Sequence, residues 1–292
     1  MIELRPGKCR VLAPAKLNLH LEVLGRRPDG YHELETVMQT VDLYDELTFE
    51  LTGGEVGLVT DHPSLPTGED NLVARAAKLL KELGGVEAGV KMTLLKRIPT
   101  GAGMGGGSSD AASTLVGLNL LWKLGWPVER LQEPAAALGS DVPFFLTGGA
   151  ALCRGRGEIV TPMTGLEPSW YVVVTPPVEV STRRVYENLA SHLTNPALGH
   201  NVLMQKVTGR HCDGRQGCFN RLQEVTLGVY PQLNEVVDTM RRLGLANVGM
   251  TGSGSGFFAS CTSRKEAHDT ACRLAKEDIG TVFQLTSTPG PD

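Results

Sequence analysis

Nowhere in the 292 residues is there an uninterrupted run of about 18 apolar side chains, the length a membrane-crossing helix needs. The most apolar stretch, residues 134–153, is broken by Asp141 and several glycines. A basic excess is missing as well. Lys and Arg number 28 against 32 Asp and Glu, a net charge of −4, which argues against a general nucleic-acid binder but leaves room for a local basic cleft. Residues 1–8 carry no apolar h-region and no Ser/Arg-rich amphipathic segment, so no targeting peptide is expected. Cysteine is sparse. Cys9, Cys153, Cys212, Cys218, Cys261 and Cys272 are too scattered for a secreted disulfide scaffold and read as reduced thiols of a cytoplasmic protein. No repeat at a solenoid period is visible.

What is present is a core-forming composition, 41% hydrophobic and 21% charged, which excludes disorder as the main state. The length suits two compact domains or one large one. Glycine, at 35 residues, is clustered, a sign of loops where backbone approaches a ligand.

Strands are expected over 9–12, 16–24, 32–41 and 46–51, where β-formers alternate with glycine punctuation. Asp70 or Asn71 caps a helix whose apolar positions Leu72, Val73, Ala76, Ala77, Leu80 and Leu83 recur at helical spacing until Gly84-Gly85. A strand over 90–98 stops at Pro99. A second helix is expected from 108 to 124, and Pro127 suits the first turn of the next. A hairpin over 148–162, a buried strand over 170–175 and helices over 182–190, 222–229, 231–243 and 263–278 follow, with a glycine loop running into a strand over 249–261. A composition shift near 165–168 divides the chain into domains 1–164 and 165–292, and the polar stretch 191–217 reads as a long loop. Its dispersed His and Cys residues lack the usual spacing of zinc ligands.

The most informative segment is Pro99-Thr100-Gly101-Ala102-Gly103-Met104-Gly105-Gly106-Gly107-Ser108-Ser109-Asp110. Five glycines in seven residues let successive backbone N–H groups line a concave surface. The following helix aims its unpaired amides and positive dipole end at the same place, which makes an anion site suited to a polyphosphate. Ser108 and Ser109 add hydroxyls for phosphate oxygens or Mg²⁺. Gly101, Gly103 and Gly106 also spell G-x-G-x-x-G, but a dinucleotide fold would place that in its first βαβ unit. No Lys-Ser/Thr follows the last glycine, so the loop is not a Walker A motif.

Two further motifs accompany this loop: Pro14-Ala15-Lys16-Leu17-Asn18-Leu19 before it, and Met250-Thr251-Gly252-Ser253-Gly254-Ser255-Gly256-Phe257-Phe258 after it. In this order the three resemble the GHMP superfamily of small-molecule kinases. Asp29-Gly30-Tyr31-His32-Glu33-Leu34, Glu69-Asp70-Asn71-Leu72 and Leu138-Gly139-Ser140-Asp141-Val142-Pro143-Phe144-Phe145 narrow the resemblance to one branch. That branch phosphorylates the 2-hydroxyl of 4-diphosphocytidyl-2-C-methyl-D-erythritol, a step of the non-mevalonate route to isoprenoid precursors. The likeness covers residues 10–160 and returns over 218–262. It implies an α+β two-domain GHMP kinase fold, with an N-terminal ribosomal-protein-S5-like domain, a C-terminal ferredoxin-like domain and the active site in the cleft between them.

The resemblance also implies roles. Lys16 and Asp141 match the catalytic lysine and aspartate. An ordinary aspartate, with a pKa near 4, is a poor base for an alcohol, but a loose phosphoryl-transfer transition state asks for the proton only late. Lys16 holds that carboxylate ionised and neutralises charge on the moving phosphoryl group. Asn18, two residues on, shares the face of Lys16 and lies against the substrate. Tyr31 stacks on cytosine and His32 bonds its edge. Tyr186, where the branch often has Phe, is the second ring, and Thr182 lines the same pocket. Gly252 and Ser253 approach the substrate diphosphate. ATP falls to Asn71, Lys96, Pro99, Gly101, Gly103, Gly105, Gly106, Gly107, Ser108 and Ser109, with Mg²⁺ held through Ser108 or Ser109. Asn71 equally reads as a helix cap.

Thr100 and Met104 stand where the family usually has apolar residues such as Met and Leu. Other GHMP kinases, acting on homoserine, a mevalonate or a sugar, would not need Gly30-Tyr31-His32 or Gly139-Ser140-Asp141-Val142-Pro143 in this form. A non-catalytic nucleotide-binding relative would have lost Lys16 or Asp141, and both are here. The expected partners are a small molecule carrying a cytidine diphosphate and ATP with Mg²⁺, with no nucleic acid or membrane, in a monomer or homodimer.

Overall fold

The structure, a computed structural model, describes residues 1–164, 167–189, 218–245 and 247–290. In chain order it forms β1 (Ile2–Arg5), β2 (Lys8–Arg26), β3 (His32–Thr52), β4 (Val56–Thr60), α1 (Leu72–Gly84), β5 (Gly89–Leu95) and α2 (Gly106–Leu121). There follow α3 (Val128–Leu138), α4 (Val142–Thr147), β6 (Ala150–Gly155), β7 (Ile159–Met163), β8 (Trp170–Thr175), α5 (Thr182–Leu189), β9 (Phe219–Asn220) and α6 (Arg221–Val229). A 3₁₀ turn (Pro231–Leu233) leads into α7 (Asn234–Arg242), β10 (Gly249–Met250), β11 (Phe257–Cys261), α8 (Arg264–Leu274) and β12 (Thr281–Thr286). No described helix is long and apolar enough to cross a membrane.

The chain divides into two compact units that interleave along the sequence. One comprises Met1–Ala15, Leu43–Pro99 and Gly105–Gly148, the other Lys16–Asp42, Thr100–Met104 and Gly149–Asp292. The long strands β2 and β3 supply residues to both. The cut expected at 164/165 falls next to residues 165 and 166, which lie outside the described residues, as do the expected loop over 191–217 and Cys212. No disulfide joins two of the five described cysteines.

In the first unit β1 pairs antiparallel with the start of β2, from Ile2↔Val11 to Arg5↔Lys8. The second half of β3 pairs antiparallel with β5, from Glu46↔Leu95 to Thr52↔Gly89, and β4 runs parallel to β5. Cys9, Val11 and Ala13 alternate inward along β2 and join Leu47, Phe49, Met92 and Leu94 in a core that α1 and α2 cover with Leu80, Leu115 and Leu118. The helix α2 comes so close that a Cβ on Gly117 would sit 2.7 Å from the Phe49 ring. Asn71 caps α1 by accepting the Val73 N–H at 2.9 Å, and Gly85, left-handed at φ 60°, ends it.

In the second unit the first half of β3 pairs with β6, from Leu34↔Gly155 to Gln39↔Ala150, β6 pairs with β7, and the short β9 runs parallel to β2 at His20↔Phe219. A separate antiparallel sheet has the order β10-β11-β8-β12. Its inner strand β8 is buried through Tyr171, Val172, Val173 and Val174, which is why it reads as an unbroken apolar run. Val172 and Val174 pack with Val185, Leu222, Val236, Met240, Phe257 and Leu274 from the surrounding helices and strand.

Several elements differ from their sequence expectations, each for a local reason. The strands expected at 9–12 and 16–24 are one strand, β2. Pro14 lies past the last β1 pairing at Val11, where no neighbouring strand of that edge asks for its missing N–H. The strands expected at 32–41 and 46–51 merge into β3. The strand expected to reach 98 stops at Leu95, because the N–H groups of Arg97 and Ile98 turn to Asp45 Oδ1 at 2.6 and 2.9 Å. Helix α2 starts at Gly106, inside the glycine run rather than after it. The elements β1, β4, α4, β9 and β12 were not anticipated.

Candidate active site

Along one side of β2 the even-numbered backbone amides reach loops in place of a strand. The Lys16 N–H donates to the Met104 carbonyl at 3.0 Å, and the Asn18 N–H to Thr251 Oγ1 at 3.1 Å. The edge of β2 therefore seats the glycine loop and the 251–256 loop side by side. Thr251 Oγ1 in turn donates to the Gly103 carbonyl at 3.0 Å, while the N–H groups of Ser255 and Gly256 bond to Gly101 and Ala102 at 3.3 and 3.1 Å.

Lys16 is 2% exposed, and its ammonium donates to Asn18 Oδ1. The same oxygen accepts the Gly252 N–H at 2.9 Å, and the Asn18 amide nitrogen donates to Thr36 Oγ1 at 2.9 Å. Two donors aimed at one atom fix which end of the amide is oxygen. Asn18, expected to face substrate, is thus a buried hub that holds the lysine and Gly252. A Cβ on Gly252 would lie 3.6 Å from the ammonium, so this backbone forms the wall beside it.

Ser253 Oγ and Thr182 Oγ1 meet at 2.7 Å. One turn along α5, the Tyr186 ring packs against His32 with centroids 5.0 Å apart and a 30° tilt. Burial and the neighbouring Arg26 cation hold the His32 pKa below its ordinary value. Tyr31 points elsewhere. It is 54% exposed, its N–H is held by Asp29 Oδ1 at 3.1 Å, and the Arg156 guanidinium sits 4.9 Å over its ring. The structure therefore brings His32, Tyr186, Thr182 and Ser253 together as two adjoining pairs, and places Tyr31 with Arg156.

In the first unit, Gly105 begins α2 at φ 72° with no side-chain cap, so the first-turn amides keep their capacity for an acceptor from outside the helix. Ser108 is half-buried in that turn. Ser109 is wholly buried, and its hydroxyl has no partner among the described residues. Beneath the turn lies a buried charge cluster. The Lys96 ammonium donates to Asp110 Oδ2 at 2.8 Å and to Asp45 Oδ2, with its side chain 5% exposed. Burial opposes its charge, but Asp110 and Asp45 outweigh burial and raise the Lys96 pKa. Burial likewise pushes Asp110 up, to about 7, against the pull of Lys96. A Cβ on Gly106 would stand 3.0 Å from the ammonium. Lys96 thus supports the loop from below, and its charge is engaged by two carboxylates. Asn71 spends its amide on the Val73 N–H and, at 2.8 Å, the Pro66 carbonyl, and Pro99 is half-buried where the loop begins.

Asp141 immediately precedes α4, in a turn closed by the Val142 N–H on the Gly139 carbonyl at 3.2 Å. Its carboxylate makes no capping bond to that helix, so the simple capping reading of Ser140-Asp141 does not describe it. Among the described residues no group of three or more His, Cys, Asp or Glu could hold a metal. The donors present nonetheless suit Mg²⁺, which takes one or two protein oxygens and fills its shell with phosphate oxygens and water. Of the two serines, Ser108 is half-buried and Ser109 wholly buried.

Sequence reasoning missed Thr36, Asp45, Asp110, Arg156, Asn220 and Thr251. Asp110 closes the quoted Ser-Ser-Asp and Thr251 opens the last loop, so both stood in plain view. Nothing near Asp45 or Arg156 in the sequence singles them out.

Two family models match the chain: GHMP kinases N terminal domain over residues 71–149 and GHMP kinases C terminal over residues 197–279. The protein is a GHMP kinase, with the two-domain fold of that class. Its relatives narrow this. The 4-diphosphocytidyl-2-C-methyl-D-erythritol kinase of Pelotomaculum thermopropionicum is 40% identical over 280 residues, 95% of this chain and 98% of that one. The enzyme of the same name from Geobacillus thermodenitrificans is 45% identical over 253 residues, 85% and 86% of the two chains. A crystal structure of 4-(cytidine 5'-diphospho)-2C-methyl-D-erythritol kinase, 38% identical, superposes with a TM-score of 0.80 over 97% of this chain and all of that one. The chain belongs to the 4-diphosphocytidyl-2-C-methyl-D-erythritol kinase family. The homoserine kinase of Cytophaga hutchinsonii, 21% identical with a TM-score of 0.76 over 99% of this chain and 97% of that one, shares the fold.

Proposed function

We infer that the protein transfers the terminal phosphoryl group of ATP to the 2-hydroxyl of 4-diphosphocytidyl-2-C-methyl-D-erythritol, giving the 2-phosphate and ADP. Membership of the family supports the reaction. The single observation that supports its assignment to residues is the buried Lys16 ammonium, held by Asn18 beside the Gly252 backbone. Fixing a cation out of water is costly, and the position makes sense where negative charge must be met.

In this reading Lys16 neutralises charge on the phosphoryl group in flight, and Asp141 orients the hydroxyl and accepts its proton late, when a weak base suffices. His32 and Tyr186 receive the cytosine, and Thr182, Ser253 and Gly252 the diphosphate side. The glycine loop from Gly101 through Ser108 cradles the ATP phosphates with its amides, and Asn71 and Pro99 border the nucleotide. Lys96 serves that site from beneath the loop. Mg²⁺, when bound, would supply charge neutralisation on the phosphate oxygens, and Ser108 would hold it.

A turnover assay with ATP tests this, using the cytidyl substrate against homoserine and mevalonate. Phosphorylation of the cytidyl substrate alone is the expected result. Faster turnover of homoserine or mevalonate overturns the reading.

A further inference from the structure

Asn220, 8% exposed, uses both ends of its amide for different purposes. Its oxygen accepts the Leu222 N–H at 2.9 Å and caps α6. Its nitrogen donates to two carbonyls, Met250 at 2.7 Å and Gly252 at 2.8 Å, which bracket Thr251. The same stretch is gripped from the first turn of α6, where Gln223 Oε1 accepts the Met250 N–H at 2.9 Å. On its far side, the Gly252 N–H reaches the Asn18 oxygen that also takes the Lys16 ammonium.

Capping explains only half of this residue. A cap needs an oxygen acceptor, and Ser or Asp would serve α6 as well as Asn. Neither could donate two hydrogens to the Met250 and Gly252 carbonyls. The donor half is spent entirely on the backbone that adjoins Lys16.

We propose that Asn220 is a positioning residue for phosphoryl transfer: its two N–H donors set the 250–252 backbone, and through the Gly252 N–H they set the Asn18 oxygen that holds the Lys16 ammonium. The proposal rests on the reading of Lys16 as the catalytic cation. Asn220 itself touches no reacting atom. Its influence runs through two backbone carbonyls, one amide and one side-chain oxygen, and a small displacement at the lysine lowers the rate without altering how ATP binds.

Three variants separate the possibilities. Asn220→Ser keeps an oxygen for the cap and loses both donors. Asn220→Asp keeps the cap and turns a carboxylate toward two carbonyls. Lys16→Met tests the underlying reading. With folding verified by circular dichroism, kcat and both KM values are measured. The expected result is a kcat at least tenfold lower in Asn220→Ser and lower still in Asn220→Asp, with the KM for ATP within about twofold of the parent, and a larger kcat loss in Lys16→Met. If both Asn220 variants keep the parental kcat while Lys16→Met is inactive, the proposal is overturned and the reading of Lys16 stands. Full turnover in Lys16→Met overturns that reading and the proposal with it. Should the Asn220 variants not fold, NMR of the unmodified protein decides. Slow exchange of both Asn220 side-chain amide protons, with couplings through the hydrogen bonds to the carbonyl carbons of residues 250 and 252, is expected. Rapid exchange of both protons overturns the proposal.

Discussion

The backbone N–H of Lys16 and the carbonyl of Met104 are 3.0 Å apart, so the strand that carries the buried cation also anchors the glycine loop. Two residues on, the Asn18 N–H fastens Thr251 in the same way. The edge of β2 beyond Pro14 is a mounting rail for two loops. Strand geometry sets their spacing at about 7 Å for every two residues, and loops fastened to such a rail move less than loops joined only at their ends. That gives a site whose positions are inherited from a sheet.

Removing the Lys16 charge while keeping its length tests the first consequence. In Lys16→Met, kcat is expected to fall by about a hundredfold to a thousandfold, the range seen when one preorganised stabilising group is lost. Lys16→Arg should not restore it. The ammonium is buried against Asn18 with the Gly252 backbone alongside, and the larger guanidinium has no room to keep that contact. Single-turnover kinetics at saturating ATP measure both.

The buried cluster under the loop leads to a prediction about stability. In Lys96→Met, Asp45 and Asp110 lose their shared cation in a buried site, and breaking such a pair costs roughly 3–5 kcal/mol. Adding Asp110→Asn to Lys96→Met removes one of the stranded carboxylates and is expected to recover a substantial part of the loss. Urea denaturation of the two variants beside the parent measures it. Equal midpoints for the single and double variants would count against the cluster as drawn.

Much of this site was legible in the sequence because glycine loops advertise themselves. Residues 99–110 and 251–256 stood out in the sequence through their glycine density, and the structure joins 101–103 to 251–256 by hydrogen bonds. What escaped the sequence were the buried charges and the supports. Asp45 sits in Leu-Tyr-Asp-Glu-Leu, in the gap between the strands expected at 32–41 and 46–51. In the fold it is wholly buried, takes the amides that end β5 and pairs with Lys96. The expected strands 9–12 and 16–24 left a gap at Pro14, whereas the neighbouring strand β1 stops before it and β2 runs on. The short helix α4 has too few turns for a periodicity to register. For Asp45 the deciding partners, Lys96, Arg97 and Ile98, lie 51 to 53 residues away, beyond any local window.

His32 carries the pH prediction. Burial and Arg26 lower its pKa, so its neutral form is favoured in the folded protein. A lowered value in the folded state means that this group's contribution to stability is present above about pH 6.5, its unfolded value, and is lost as pH falls through the folded value. The NMR titration midpoint of His32 is expected below about 6.5, and the KM for the cytidyl substrate should stay flat down to that midpoint and rise below it. A midpoint above the ordinary histidine value would contradict the burial of the ring against Tyr186.

Gly101 and Gly103 make a matched pair for the seam between the loops. Both have positive φ, 70° and 72°, so an alanine at either is strained by about 1–2 kcal/mol. Only the second is crowded. A Cβ at 103 would fall 2.0 Å from the Thr251 carbonyl oxygen, whereas one at 101 meets nothing within 4 Å. Gly101→Ala is therefore expected to pay the conformational strain alone and keep most of its turnover. Gly103→Ala must also push Thr251 away, adding about 1–3 kcal/mol of overpacking. It would disturb the hydroxyl that bonds to the Gly103 carbonyl and the Asn18 amide. Because Gly252 follows Thr251 directly, the disturbance reaches the Asn18 oxygen and the lysine it holds. The difference between the two variants in thermal midpoint and in kcat isolates the contact between the loops from the strain common to both. Equal effects in both measurements would mean that the loops do not bear on one another at this point.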